Sequence, residues 1–134
     1  MPTGTRSVIR QAELRKDWPW VRPLVEQVKA KTGEAWIAED IYSAVSTGKA
    51  AMYVSDVPEG VIVLHPSADE WSGDKTLFVW LVYCKAMDQM QDECYALLET
   101  LRKNIGATKI VMHGRPGWQK FGWKVKQVIY ERTP

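Results

Sequence analysis

The stretch TLFVWLVYC, residues 76–84, decides the fold of this 134-residue chain. It is apolar at both odd and even positions. Alternation along a strand would place one set on each face: Leu77, Val79, Leu81 and Tyr83 on one, Phe78, Trp80, Val82 and Cys84 on the other. Because such a strand faces water on neither side, the stretch predicts a central strand covered by helices on both faces.

A β-hairpin is predicted just before this strand. Its strands are Ala51–Ser55 and residues 61–65, and the sequence DVPEG, residues 56–60, supplies the turn. Pro66 is expected to end the second strand, because proline has no amide to donate to the ladder. The chain then enters a polar loop before the central strand begins.

The N-terminal third predicts a short strand and two helices. Residues 7–11 alternate weakly, and Asp17 can cap a helix whose first turn tolerates Pro19 and which stops near Gly33. A second helix is predicted at Ala38–Ser46, with Gly48 as its terminator.

The C-terminal part predicts helix, strand, helix and strand. Apolar residues at helical spacing run from Met90 to Ile105, with Gly106 as the stop, and residues 109–113 read as a strand. The sequence GWQKFGW, residues 117–123, predicts a short amphipathic helix, and residues 125–131 a final strand. The order is β-α-α-β-β-β-α-β-α-β, so residues 1–134 are read as one α/β (α+β) domain whose mixed, mostly antiparallel sheet is flanked by helices.

Composition narrows the classes of function. Net charge is +2 without a basic block, which argues against a nucleic-acid binder. The apolar run at residues 77–84 is much shorter than the roughly 20 residues that span a bilayer, and the first residues lack a signal-peptide core, so a cytoplasmic, non-secreted protein is expected. Cys84 and Cys94 are read as reduced thiols. They form no zinc spacing with His65 or His113, so no metal is predicted.

Three parts of the chain together resemble the GNAT superfamily of N-acetyltransferases: its opening, its ending, and the hairpin with the central strand, which occupies the family's second to fourth strand positions. IRQA at residues 9–12 and DWPWV at residues 17–21 are similar to the family's first strand and helix. WQKFGW at residues 118–123 resembles its closing Y-E-K-L-G-F. The resemblance implies that acetyl-CoA or CoA is the cofactor. Residues 31–42 also resemble small GNAT-like proteins of tailed phages, which implies a phage-encoded protein in a bacterial host cytoplasm.

The resemblance locates a cofactor site between the fourth strand and the third helix. Family members bind the pyrophosphate there on backbone amides of an R/Q-x-x-G-x-G/A loop, since glycine permits close approach and a helix N-terminus favours anions. The matching KAMDQMQD, residues 85–92, has no glycine, and its aspartates lie where the diphosphate would bind. The remaining cofactor candidates are the Lys85 side chain and five backbone amides, those of Met87, Asp88, Gln89, Met90 and Gln91.

The family's proton-transfer groups are also altered. The tyrosine that many members carry in the last short helix is replaced by Trp118, which cannot protonate a thiolate. Residues 77–84 contain no carboxylate to act as a base. Tyr83 and His113 remain as catalytic candidates.

Two functions therefore stay open. The first is a non-catalytic or weakly active GNAT-fold binding module with a protein partner, for which an exposed tryptophan patch drawn from Trp18, Trp20, Trp36 and Trp71 is a candidate surface. The second is a divergent CoA-dependent N-acetyltransferase acting on an amine. The sheet edges also offer a route to a homodimer.

Overall fold

A computed structural model describes residues 9–32, 35–56 and 58–112. The short helix and last strand predicted after residue 113, together with His113 and Trp118, lie outside the described residues. The described elements are β1 Arg10–Gln11, α1 Leu14–Thr32, α2 Ala38–Ser46, β2 Ala51–Ser55, β3 Gly60–Ala68, β4 Lys75–Cys84, α3 Met87–Ile105 and β5 Lys109–Met112.

The strands form one sheet with the order β1-β2-β3-β4-β5. Neighbouring strands are antiparallel from β1 to β4, and β5 runs parallel to β4. Helices α1 and α2 pack on one face, here called the α1–α2 face, and α3 packs on the other, the α3 face. The predicted mixed, mostly antiparallel α/β sheet, with β4 covered on both sides, is confirmed.

The predicted alternation along β4 is wrong at its centre. Val63 of β3 pairs with Leu81, but the next residue, Leu64, pairs with Val79, so Trp80 is an extra residue in β4. Leu77, Val79 and Val82 pack on the α3 face, whereas Trp80, Leu81 and Tyr83 pack on the α1–α2 face. The extra residue is a β-bulge, which reverses the facing of every residue that follows it.

Helix α1 begins three residues before the predicted Asp17 cap. Asp17 lies inside the first turn, where its Oδ2 accepts a hydrogen bond from the backbone amide of Glu13 at 2.8 Å. The carboxylate thus reaches an amide at the helix start, as predicted, but from within the helix rather than from the capping position. Arg10 fixes this arrangement by donating to both carboxylate oxygens, at 2.8 and 2.9 Å.

Strand β3 does not stop at Pro66, contrary to the prediction. Pro66 pairs with Leu77, and β3 continues to Ala68. The last β2 pairing is that of Ala51 with Leu64, so β3 has no β2 neighbour at Pro66. A strand tolerates proline at such an edge, because no ladder bond is lost there.

Two helices that were predicted to stop at a glycine, α2 and α3, are confirmed. Helix α2 has the predicted bounds, and Gly48 just beyond it has a φ of 81°. Helix α3 ends at Gly106, whose left-handed φ of 73° is the conformation that favours glycine. Among the described helices, none is long and apolar enough to cross a membrane.

Candidate functional site

The candidate cofactor site lies where β4 ends and α3 begins. Lys85 and Ala86 connect Cys84, the last residue of β4, to Met87, the first of α3. The Lys85 amide donates to the carbonyl oxygen of Glu59 at 2.9 Å, which ties this connection to the turn between β2 and β3. The Lys85 side chain is exposed. The structure therefore brings Lys85 and the backbone of residues 87–91 together at one helix N-terminus.

Only part of the first helical turn offers amides that the helix does not use. The amides of Gln89 and Met90 donate to the carbonyl oxygen of Ala86, at 3.0 and 3.2 Å. The amide of Gln91 is the first that can donate to a residue of the helix itself, Met87. The amides of Met87 and Asp88 have no acceptor within the helix. Of the five amides in the sequence prediction, these two are the best placed to meet an anion.

The charged side chains of α3 differ in sign between its two ends. Asp92 and Glu93 lie in its N-terminal half, while Arg102 and Lys103 lie in its last turn. Each sign complements the helix dipole at its own end. Acidic side chains at the start stabilise the helix but oppose a bound diphosphate, so this end fits the cofactor's pyrophosphate poorly.

The α3 face carries two thiols near this site, Cys84 at the end of β4 and Cys94 in α3. Neither Cys84 nor Cys94 forms a disulfide. Burial raises the pKa of both, and the pKa of Cys94 rises to about 11. The thiolate is the nucleophilic form, so both cysteines are poor nucleophiles at neutral pH.

Tyr83, one of the two catalytic candidates, is half-buried on the α1–α2 face. It pairs with Val61 of β3 and packs against the apolar cluster of that face. The other candidate, His113, lies outside the described residues, so the structure does not bring the two together. Their catalytic roles stay predictions.

An aromatic cluster surrounds the β4 bulge, and its arrangement was not predicted. The Trp80 ring stands edge-on to Trp36, with centroids 6.3 Å apart, and to His65, at 6.0 Å. His65 also lies 5.1 Å from the Phe78 ring. Because the sequence of β4 is apolar at odd and even positions alike, it does not show where a bulge occurs.

One nitrogen of His65 has a defined role. Its Nδ1 lies 2.9 Å from the carbonyl oxygen of Pro66, which has no proton to give, so Nδ1 carries the proton and donates. In the neutral ring the lone pair is then on Nε2.

The predicted tryptophan patch is not found. Trp18, Trp20 and Trp36 are half-buried against the α1–α2 cluster. Trp71 alone of the four is exposed, at 90%. Among the described residues, no group of three or more His, Cys, Asp and Glu side chains could hold a metal ion.

Comparison with known proteins identifies the fold. No family model matches the chain, and no curated protein matches its sequence. A solved structure of a predicted acetyltransferase with acetyl-CoA from Clostridium acetobutylicum matches with a TM-score of 0.70 and 9% identity, covering 96% of this chain and 96% of that one. Glucosamine-6-phosphate N-acetyltransferase from Arabidopsis thaliana matches at 0.68 and 12%, covering 96% and 98%. The chain has the GNAT fold.

A third match agrees with this result. The ribosomal-protein-alanine N-acetyltransferase of Brucella melitensis biovar Abortus 2308 has a TM-score of 0.66 and 14% identity, and covers 95% of this chain and 98% of its own. At such low identities the likeness extends to the fold alone. It covers nearly the whole chain, and it agrees with the resemblance that the sequence carries.

Proposed function

We propose that this GNAT-fold chain works as a binding or accessory module with little or no acetyl transfer. The observation that carries the proposal is the connection from β4 to α3. It has no glycine, and the amides of Gln89 and Met90 donate to the Ala86 carbonyl. Side chains at every position hinder the close backbone approach that a diphosphate needs.

The candidate groups for proton transfer also favour a module with little or no catalysis. Strand β4 carries no carboxylate, and the Tyr83 ring packs against the α1–α2 cluster. Both thiols on the α3 face have raised pKa values. These features support a protein whose fold has been kept while its surface serves binding.

The second candidate is a divergent CoA-dependent N-acyltransferase that acts on an amine. One observation favours it: the amides of Met87 and Asp88 have no acceptor within α3, and the exposed Lys85 stands beside them. A structure of the same fold, the acetyltransferase from Clostridium acetobutylicum, was solved with acetyl-CoA. Ordinary helix amides can bind phosphate without glycine, although the acidic residues weaken that contact.

Calorimetric titration with acetyl-CoA and with CoA, alongside a thermal-shift assay, separates the two functions. The binding-module proposal expects neither heat nor a shift in melting temperature at millimolar ligand. Micromolar affinity would overturn it and favour the acyltransferase. In that case Lys85→Ala should weaken binding. Lys75→Ala is the matched control, because Lys75 is an equally exposed lysine at the opposite end of β4.

The biological setting is part of the same proposal. The resemblance of residues 31–42 to small phage GNAT-like proteins supports a phage-encoded protein that meets a protein partner in a bacterial host cytoplasm. A homodimer through a sheet edge is a further option. Within the described residues the edge strand β1 comprises only Arg10–Gln11, and that part offers few backbone groups for such pairing. Light scattering after size-exclusion chromatography tests the dimer.

A further inference from the structure

The hairpin formed by β3 and β4 extends beyond β2 at one end, where β5 still pairs with β4 as far as Thr76. β2 begins at Ala51, opposite Leu64, but β3 continues with four more residues, which pair with β4 from His65 opposite Phe78 to Ala68 opposite Lys75. Pro66 lies in this extension and lacks an amide, which discourages another strand from pairing along the β3 edge. What the extension presents to a partner is therefore its tip, residues 69–74.

Hydrogen bonds within the tip define its backbone. Asp69 Oδ1 accepts from the amides of Trp71 at 2.9 Å and Ser72 at 3.1 Å. The Gly73 amide donates to the Asp69 carbonyl oxygen, and the Asp69 amide to that of Asp74, both at 2.8 Å. A positive φ of 76° at Gly73 closes the turn. The tip therefore presents its side chains from an ordered backbone.

Trp71 projects from this turn into solvent. It is 90% exposed, against 49% for Ile37 and 38% for Tyr42, the other large hydrophobic residues exposed in the described part of the chain. Tryptophan is the residue type most often found as a binding anchor, because a large flat ring loses little entropy when it is covered. Because the backbone of this turn is already ordered, less conformational entropy remains to be lost when a partner binds Trp71.

The charges around Trp71 select the kind of partner. Glu70 and Asp74 are exposed beside it, and Asp69 adds a third carboxylate at the base of the turn. The six tip residues include no cation; the first ones are Lys75 and, on β5, Lys109, where the tip joins the sheet. An indole face with carboxylates beside it attracts a guanidinium or ammonium group.

We propose that the tip of the β3–β4 hairpin docks a basic segment of a partner protein, with a Lys or Arg side chain against the Trp71 ring and between Glu70 and Asp74. The same carboxylates repel the phosphates of nucleic acids and of anionic lipids, the other surfaces on which an exposed tryptophan commonly stacks. The ten residues of β4 separate the tip from the start of α3 by about 30 Å. The surface gives the proposed binding function a class of partner, and CoA binding at α3 would leave it in place.

NMR titration of the ¹⁵N-labelled protein with an oligo-arginine peptide tests the proposal. The Trp71 indole N–H peak, assigned by its loss in Trp71→Ala, should shift and saturate, and high salt should weaken the binding. Trp71→Ala should reduce affinity about tenfold, and Glu70→Gln combined with Asp74→Asn by a similar factor. Ile37→Ala is the matched control, since it removes an exposed apolar side chain elsewhere and should leave affinity unchanged.

Three results would overturn the proposal. They are no shift at millimolar peptide, equal affinity of the wild type and Trp71→Ala, or stronger binding through Trp71 of phosphatidylserine vesicles or a single-stranded oligonucleotide than of the peptide. The Trp71→Ala variant is expected to give the wild-type result in the CoA titration. A failure of this surface and a failure of the binding-module proposal can therefore be told apart.

Discussion

The two faces of the sheet are held to their helices by different kinds of interaction. On the α1–α2 face the Asp17 carboxylate, only 1% exposed, accepts hydrogen bonds from Arg10, from the Glu13 amide and from Trp20 Nε1. The contacts between α3 and the sheet are apolar, and Asp17 is the only charged side chain that is buried among the described residues. Directional polar bonds fix where α1 meets β1, whereas shape and apolar contact fix where α3 meets β3 and β4. The two faces should therefore respond differently to cavities and to pH.

The largest expected effect is a cavity on the α3 face. Leu98→Ala removes a fully buried side chain from the apolar cluster and should lower the free energy of unfolding by about 2–5 kcal/mol. Urea unfolding measures the loss, which should be nearly the same at pH 7 and pH 4 because no charged side chain of the described residues is buried on that face. Leu101→Ala, at a half-buried position of the same helix, is the control and should cost less. If the stability lost by Leu98→Ala were much larger at pH 4 than at pH 7, the proposed difference between the two faces would be wrong.

Replacing the buried carboxylate on the α1–α2 face should come next. Asp17→Asn keeps one acceptor oxygen but turns an NH₂ group towards the donors, and should cost about 1–3 kcal/mol. Asp56→Asn is the matched control. That side chain also accepts bonds from Arg10 but is 60% exposed, so its loss should be much smaller. Equal losses at the two positions would mean that burial does not distinguish them.

The pH dependence of stability should come from the same carboxylate. The hydrogen bonds from Arg10, which outweigh the effect of burial, hold the pKa of Asp17 well below its usual range. A lowered pKa in the folded state stabilises the protein above the unfolded pKa of about 4. This stabilisation is lost as pH falls from there through the folded pKa. Urea midpoints at several pH values should therefore fall more steeply below pH 4 for the wild type than for Asp17→Asn. Parallel curves would contradict this assignment.

The smallest effect is expected at Ser55, a buried hydroxyl on the α3 face. Its Oγ has no hydrogen-bond partner among the described residues, and it lies opposite Gly60 in the register. Since nothing there repays the loss of hydration, Ser55→Ala should raise stability by up to about 1 kcal/mol or leave it unchanged. Ser46→Ala is the control, because its hydroxyl donates to the Ser43 carbonyl oxygen and is exposed. A clear destabilisation by Ser55→Ala would reveal a partner for the hydroxyl.

The sequence predicted those elements whose signals are local. The bounds of α2, the glycine stop of α3 and the doubly buried β4 all follow from residue periodicity and glycine positions, and the structure confirms them. The predictions for Pro66 and for the facing of Leu81, Val82 and Tyr83 failed. Each depended on where a neighbouring strand ends or shifts, and local sequence does not report the position of a neighbour.

For the candidate site, too, some features could be predicted from the sequence and others only from the structure. That residues 85–92 lack glycine and include acidic residues is visible in the sequence alone. Which amides of the first turn remain available depends on the backbone at Ala86, whose carbonyl accepts two of them. The aromatic cluster formed by Trp36, His65 and Trp80 brings together the segment before α2 and strands β3 and β4, so no single segment predicts it.

By itself, the sequence determined the order of helices and strands, the resemblance to GNAT proteins and the unusual composition of the cofactor loop. These depend on periodicity, glycine positions and residue identity, which act over a few neighbouring residues. Only the tertiary structure decided the bulge at Trp80, the pairing of Arg10 with the buried Asp17 carboxylate and the exposure of Trp71. Each of these depends on how distant segments share the same space, so its energy arises only when the chain is packed.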